Sequence, residues 1–70
     1  MSGVDVGSLF HEDGHSWLHR TVRDIASRGE GELAAIVQEK TGGRTVRVAH
    51  IRGASGVEWT TAADNIQLVS

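Results

Sequence analysis

The chain has 70 residues, no cysteine and a formal net charge of −2 at pH 7. This length allows one small domain, and the lack of cysteine excludes disulfide bonds and thiolate metal sites. Three of the nine acidic residues lie in the first fifteen positions, so the remainder is near neutral, which argues against strong non-specific nucleic-acid binding. No signal peptide or membrane-spanning stretch is recognisable, and we expect a cytoplasmic protein that does not contact membranes.

The first part of the chain has no regular pattern. Residues 1–8 are mostly small, and residues 9–19 mix large apolar side chains with charged and imidazole groups. We predict that residues 1–19 form a partly mobile N-terminal extension of a domain that comprises residues 20–70. Phe10 and Trp17 lie in this extension, where such large apolar side chains must either fold back on the domain or contact a partner.

Residues 16–28 are compatible with two structures. A helix would place Leu18, Val22 and Ile25 on one face. A strand would include residues 21–24 and would connect through a turn to the next strand. The local pattern slightly favours the helix, but without this strand the downstream strands would leave a sheet edge open, so we predict the strand.

From residue 32 onwards, short apolar segments alternate with glycine turns. Four further strands are predicted, at residues 32–39, 44–52, 57–60 and 66–69, with turns at residues 41–43 and 53–56. In the second of these strands Val46 and Val48 share one face and Ile51 lies on the other, which predicts a bulge or a strong coil near Ala49. Thr61 is expected to cap a single helical turn before the last strand.

Five short strands, glycine turns and one helical turn before the last strand are typical of an all-β, SH3-like barrel. Residues 20–69 resemble short SH3-like proteins of high-GC Gram-positive bacteria, through Glu-Trp-Thr at residues 58–60 followed by Asn-Ile-Gln-Leu at residues 65–68. The segment Arg-Gly-Glu-Gly at residues 28–31 is similar to the start of KOW-type nucleic-acid modules. The resemblance implies a small KOW- or Tudor-like barrel and names no ligand.

Residues 11–15 read His-Glu-Asp-Gly-His and formally match the zinc-protease motif H-E-x-x-H. That chemistry needs both histidines on one helical face, yet Asp-Gly between them disfavours a helix, and the chain is too short to build a substrate cleft. His19 would complete a three-imidazole group with His11 and His15 if the segment were helical. We prefer a polar segment without a metal, and we expect neither enzymatic activity nor a cofactor.

Three arginines, Arg44, Arg47 and Arg52, fall on one predicted strand. They would contact phosphates in a nucleic-acid-binding barrel, or they would be solvated strand charges with glutamates as cross-strand partners. Arg44 and Arg47 are an odd number of residues apart, so a regular strand places them on opposite faces. No aromatic side chains for base stacking accompany them.

Trp59 is either part of the core or part of an aromatic peptide-binding groove. The chain has one phenylalanine and no tyrosine, so the barrel needs the bulk of Trp59 and we favour the core. The sequence therefore predicts a non-enzymatic binding module for a protein partner or a second copy of the chain, with Phe10 and Trp17 as additional interface. The alternative is a small nucleic-acid-binding barrel that uses the three arginines.

Overall fold

A computed structural model describes residues 8–69, and this part of the chain is all-β. Six strands, β1 to β6, are joined into one antiparallel sheet. Their bounds are Ser8–His11, Thr21–Asp24, Glu30–Thr41, Arg44–Arg52, Glu58–Ala62 and Ile66–Leu68, and a 3₁₀ turn at Ala63–Asn65 precedes β6. The described range contains no helix with the length and apolar character needed to cross a membrane.

The sheet is open. Its strand order is β5-β4-β3-β2-β6, and β1 pairs with the same edge of β3 as β2 but further along that strand. No pairing between described residues joins β5 to β6. The predicted all-β class is confirmed. The predicted closure into a five-stranded barrel is not confirmed, because the strand pairing leaves the sheet open.

The choice between helix and strand at residues 16–28 is settled by β2. Thr21–Asp24 is a strand whose Val22 and Asp24 are buried while Arg23 is exposed, so its side chains alternate with a period of two. It pairs with β3 on one side and with β6 on the other. The predicted strand is therefore confirmed. One of its faces is buried, and its backbone pairs with a neighbouring strand on each edge.

The irregularity predicted near Ala49 lies in the neighbouring strand. Ala49 and Ile51 are both buried, and Val46 on the opposite face is 47% exposed, so β4 alternates regularly. The register of the β3–β4 pair shifts instead between Leu33 and Ala35 of β3. The prediction was wrong because it assumed that the valines of β4 belong to the core; they lie on the outer face.

The N-terminal part of the chain adds a strand that the sequence did not predict. Of residues 1–19, assigned to a partly mobile extension, residues 1–7 lie outside the described range, and Ser8–His11 form β1. β1 pairs in register with β3, with Phe10 opposite Gln38. Four residues without apolar alternation give no local strand signal, and only the pairing with β3 defines this strand.

The core is small and lies on the inner face of the sheet. Seven buried side chains form it: Val22, Leu33, Ile36, Ala49, Ile51, Ala63 and Ile66. Trp17, Leu18 and Trp59 are partly buried and pack against this cluster. So few apolar residues leave little margin of stability in a domain of this size.

Asp24 is a buried carboxylate, 3% exposed, that links two strands which do not pair with each other. Its Oδ2 accepts hydrogen bonds from Trp59 Nε1 at 3.1 Å and from Ser27 Oγ at 2.8 Å, and its Oδ1 accepts one from the Ala26 amide at 3.1 Å. The Thr61 hydroxyl also hydrogen-bonds to it. Trp59 and Thr61 lie on β5, so this carboxylate joins β2 to β5 by side-chain contacts.

The hydrogen bonds also hold Asp24 in its charged form. Burial by itself raises the pKa of Asp24, but the hydrogen bonds from Ser27, Thr61, Trp59 and the Ala26 amide outweigh it, so the pKa lies below its usual value. The prediction that Thr61 caps the helical turn was wrong, because its hydroxyl hydrogen-bonds to Asp24. The residue before that turn is Ala62, and no side chain caps it.

We expect Asp24→Asn to destabilise the protein by about 3 kcal/mol at neutral pH, because the amide donates where the carboxylate accepts and leaves buried donors unpaired. Asp13→Asn is the matched control, since Asp13 is exposed, and it should change stability by less than about 0.5 kcal/mol. Urea unfolding followed by circular dichroism measures both. Equal stability of the two variants would contradict the role given to Asp24.

Candidate functional site

The exposed apolar residues near the N-terminus lie on a three-stranded ribbon. It consists of β1, residues 37–41 of β3 and residues 44–47 of β4, and we call it the β1 ribbon. β5 pairs with β4 only from Val48 onwards, and β2 pairs with β3 only at residues 30–32, so the ribbon extends beyond the rest of the sheet. The molecule is accordingly elongated, with extents of 43 × 22 × 20 Å.

Glu12, the residue after β1, fixes this strand to the ribbon. Its carboxylate accepts two hydrogen bonds from Arg47, from Nε at 2.7 Å and from Nη2 at 2.8 Å, and a third from Gln38 Nε2 at 2.8 Å. Arg47 and Gln38 are cross-strand partners on β4 and β3. Arg47 Nη1 also donates to Asp64 Oδ1 at 3.2 Å, which connects the ribbon to the 3₁₀ turn.

This network makes Glu12 a stronger acid. Hydrogen bonds from Arg47 and then from Gln38 lower the pKa of Glu12 from 4.5 to about 2. The Glu12 side chain is only 16% exposed, so water competes weakly for its oxygens. The loop after β1 is thus attached to β3 and β4 by a charged, bidentate contact.

β1 itself presents two large apolar side chains to solvent. Leu9 is 70% exposed and Phe10 is 61% exposed, and as neighbours in a strand they lie on opposite faces. Val46 lies across β3 from Leu9, through Glu39, and belongs to the same outer face. A cavity of about 340 Å³ at this edge is lined by Leu9, Phe10, Gln38 and Lys40. Exposed apolar side chains at the edge of a small domain are typical of a protein contact surface.

The three predicted arginines do not form one basic stripe. Arg47 is on the inner face with Ala49, and its guanidinium is bound by Glu12 and Asp64. Arg52 donates to Glu58 Oε2 from Nε at 3.0 Å and from Nη2 at 2.8 Å. Arg44 is exposed beside the Gly42–Gly43 turn and forms no side-chain hydrogen bond or ion pair with another described residue. The sequence correctly placed Arg44 and Arg47 on opposite faces.

The three candidate metal-binding histidines make different contacts. His11 is on β1, His15 Nδ1 accepts a hydrogen bond from the Trp17 amide at 3.1 Å, and His19 Nδ1 lies 3.0 Å from Glu32 Oε2. Between residues 8 and 69, no group of three or more His, Cys, Asp or Glu side chains could hold a metal ion. The H-E-x-x-H segment continues from a strand into a turn, so the helical face that the motif requires does not form.

The two large aromatic residues of the N-terminal segment have different positions. Trp17 is partly buried against the core, and its ring meets the ring of His15 edge-on with centroids 5.7 Å apart. Phe10 is exposed on β1. Of these two predicted contact residues, one folds back on the domain and the other remains available to a partner.

Trp59 is partly buried and packs between two glycines. A Cβ atom on Gly29 would lie 3.1 Å from Trp59 Cζ2, and one on Gly53 would lie 3.2 Å from Cζ3. The absence of these Cβ atoms leaves room for the indole, whose N–H reaches Asp24. Trp59 therefore belongs to the framework of the domain and not to the apolar surface of the β1 ribbon.

Sequence reasoning missed Leu9, Val46 and Glu12 as parts of this surface. A signal for Val46 was present, because Val46 and Val48 alternate on the face opposite Ile51. Glu12 gave no separate signal, since its partner Arg47 is 35 residues away.

This chain matches no protein-family model, and comparison with curated proteins and with solved structures gives no match either.

We expect Glu12→Gln to reduce the pH dependence of stability. The folded state holds the pKa of Glu12 at about 2 against 4.5, so this group stabilises the fold above pH 4.5, and the contribution is lost as the pH falls from 4.5 to about 2. The variant should be less stable at neutral pH, and its deficit should vanish in this acidic window. Urea unfolding at several pH values measures this. The control is Glu39→Gln, on the exposed side of β3; the same acid profile in both variants and the wild type would contradict the role of Glu12.

Proposed function

We propose that this chain is a non-enzymatic, SH3-like binding module that contacts a protein through the β1 ribbon. One observation carries the proposal: Leu9 and Phe10, the two largest apolar side chains of β1, are 70% and 61% exposed on a strand that pairs, among the described residues, with β3 alone. A domain with so small a core gains stability by burying such residues, so their exposure favours a contact role.

The SH3-like part of the proposal is supported by the order of the strands. From β2 to β5 each strand pairs with the next, and β6 returns to pair with β2 after a 3₁₀ turn. The Asp24 carboxylate adds a link between β2 and β5 where strand pairing is absent. These features are those expected of a small barrel held together partly by side chains.

The state of the arginines favours a protein over a nucleic acid as partner. Glu12 and Asp64 bind Arg47, and Glu58 binds Arg52, so two of the three charges are compensated within the chain. Phosphate binding would have to compete with these carboxylates. The uncharged surface of Leu9 and Phe10 needs no such exchange of partners.

The alternative, a small nucleic-acid-binding barrel, has one local observation in its favour. Lys40 and Arg44 are exposed on either side of the Gly42–Gly43 turn and form no side-chain ion pair within the described range. Retention on DNA or RNA that weakens steeply with salt and is lost in a Lys40→Gln/Arg44→Gln variant would favour this alternative and contradict the protein-binding proposal.

We expect a photoreactive phenylalanine derivative placed at position 10 to form covalent adducts with protein in living cells. The derivative keeps an aromatic ring where Phe10 is exposed, so it should report contacts of the native surface. Position 57 is the matched control, because Val57 is 64% exposed and lies outside the β1 ribbon. Mass spectrometry of the adducts gives their frequency and composition. Adducts no more frequent at position 10 than at position 57 would contradict the proposed contact surface.

A further inference from the structure

We propose that the protein bound at the β1 ribbon is a second copy of this chain, and that the two β1 strands pair antiparallel about a two-fold axis at Phe10. This inference rests on the proposed function and specifies its partner. It is drawn from the backbone geometry of β1, from its side-chain charges and from the exposed residues that flank it.

The backbone of β1 has one edge that is hydrogen-bonded to β3 and one edge that has no partner within residues 8–69. The Glu12 amide donates to the Ile36 carbonyl at 2.9 Å, which shows that the backbone groups of Glu12 face β3. In an antiparallel pair, alternate residues direct their N–H and C=O groups to the same neighbour, so Phe10 also faces β3 while Leu9 and His11 face away. No described residue forms a backbone hydrogen bond with these outward groups.

The charges of β1 favour a second copy as the occupant of this edge. The strand reads Ser-Leu-Phe-His and carries no lysine, arginine, aspartate or glutamate. Edge strands that remain unpaired usually carry a charge or a proline that prevents association. The free part of β4, by comparison, contains Arg44 and Arg47, and β5 contains Glu58. β1 can therefore pair with itself without placing like charges opposite each other.

The alternation of the backbone selects the register of this pairing. Directly opposite residues of an antiparallel pair lie on the same face, so a symmetric pair must be centred on one residue. Centred on Phe10, it places Leu9 opposite His11 of the second copy, and vice versa. Both residues direct their backbone groups outward, so this register forms four backbone hydrogen bonds. Centred on Leu9, it would instead place Phe10 opposite Ser8 of the second copy, so the two phenyl rings would not meet.

The same register covers the exposed apolar side chains. Phe10 meets Phe10 of the second copy on the inner face, beside Gln38 of each chain. Leu9 meets His11 of the second copy on the outer face, next to the row that contains Val46. The two ribbons then form one continuous sheet in which β1 is no longer an edge. Because the paired strands are short, we expect a dimer that dissociates on dilution.

A single cysteine tests both the partner and the register, because the chain has no cysteine of its own. In the proposed dimer the two residues at position 10 form a non-hydrogen-bonded pair, with Cα atoms about 4.5 Å apart, which suits a disulfide. Phe10→Cys should therefore form a covalent dimer under mild oxidation, at a rate at least about tenfold above that of Leu9→Cys, which reports the other register, and of Val57→Cys, which reports random collisions.

Sedimentation of the unmodified chain provides the second measurement, so the test does not depend on the cysteine variants folding. We expect the sedimentation coefficient to rise from that of a monomer to that of a dimer with increasing concentration. Leu9→Pro should remain monomeric with an unchanged circular dichroism spectrum, because the amide that it removes faces away from β3.

Each contrary outcome has a defined meaning. Faster oxidation of Leu9→Cys than of Phe10→Cys would overturn the register, and equal oxidation at position 57 would overturn the specific contact. A chain that sediments as a monomer at every concentration would overturn the second copy as partner. If photoreactive adducts at position 10 then contain a different protein, the proposed function stands without this inference; if no adduct forms, both fail.

Discussion

The fold depends on one buried carboxylate. Strand pairing leaves the sheet open between its two ends, and Asp24 on β2 accepts hydrogen bonds from Trp59 and Thr61 on β5. A buried charge is tolerated only when hydrogen bonds replace its hydration, and the turn after β2 supplies two more, from Ser27 and Ala26. The charge of Asp24 therefore depends on donors from the turn and from β5, and the positions of the turn and of β5 depend in turn on these hydrogen bonds to Asp24.

The chain therefore has two parts. The body consists of β2, β5, β6 and the parts of β3 and β4 that pair with them, and the β1 ribbon carries exposed apolar residues. Trp17 and Trp59 serve the body, whereas Leu9 and Phe10 are exposed on β1. The Glu12–Arg47 contact joins the two parts, since it holds β1 against β3 and β4 and reaches the 3₁₀ turn through Asp64. A partner that pairs with β1 would thus bind a strand whose position is already set, which reduces the conformational entropy lost on binding.

Much of the architecture could be predicted from the sequence, because it follows from local signals. The strands β2, β4 and β6 come from alternation and β-branched residues, and the turns come from Gly42, Gly43 and Gly56, all of which have positive φ. The bulge was expected in the wrong strand, since two alanines in β3 hide which residues face the core. Local patterns also suggested a metal motif at residues 11–15, where the chain passes from a strand into a turn and the helix that the motif requires does not form.

The candidate site could be predicted only in part, because it depends on contacts between distant residues. Phe10 was recognised from its size, but β1 exists through its pairing with β3, about 28 residues away in the chain. The contacts of Glu12 with Arg47 and of Asp24 with Trp59 each span 35 residues. Nothing in the order of the residues marks such pairs. From the sequence, glutamates were possible partners of the arginines but Glu12 could not be named, and Thr61 looked like a helix cap.

The structure combines the side-chain contacts of Asp24, which join β2 to β5, with an outer edge of β1 that is proposed to pair with a partner. Hydrogen exchange, read residue by residue by NMR at low and at high protein concentration, tests it most directly. We expect the Trp59 indole N–H to be protected at both concentrations, and the amides of Leu9 and His11 to gain protection only at high concentration. Rapid exchange of the Trp59 indole, or exchange at Leu9 and His11 that does not depend on concentration, would contradict it.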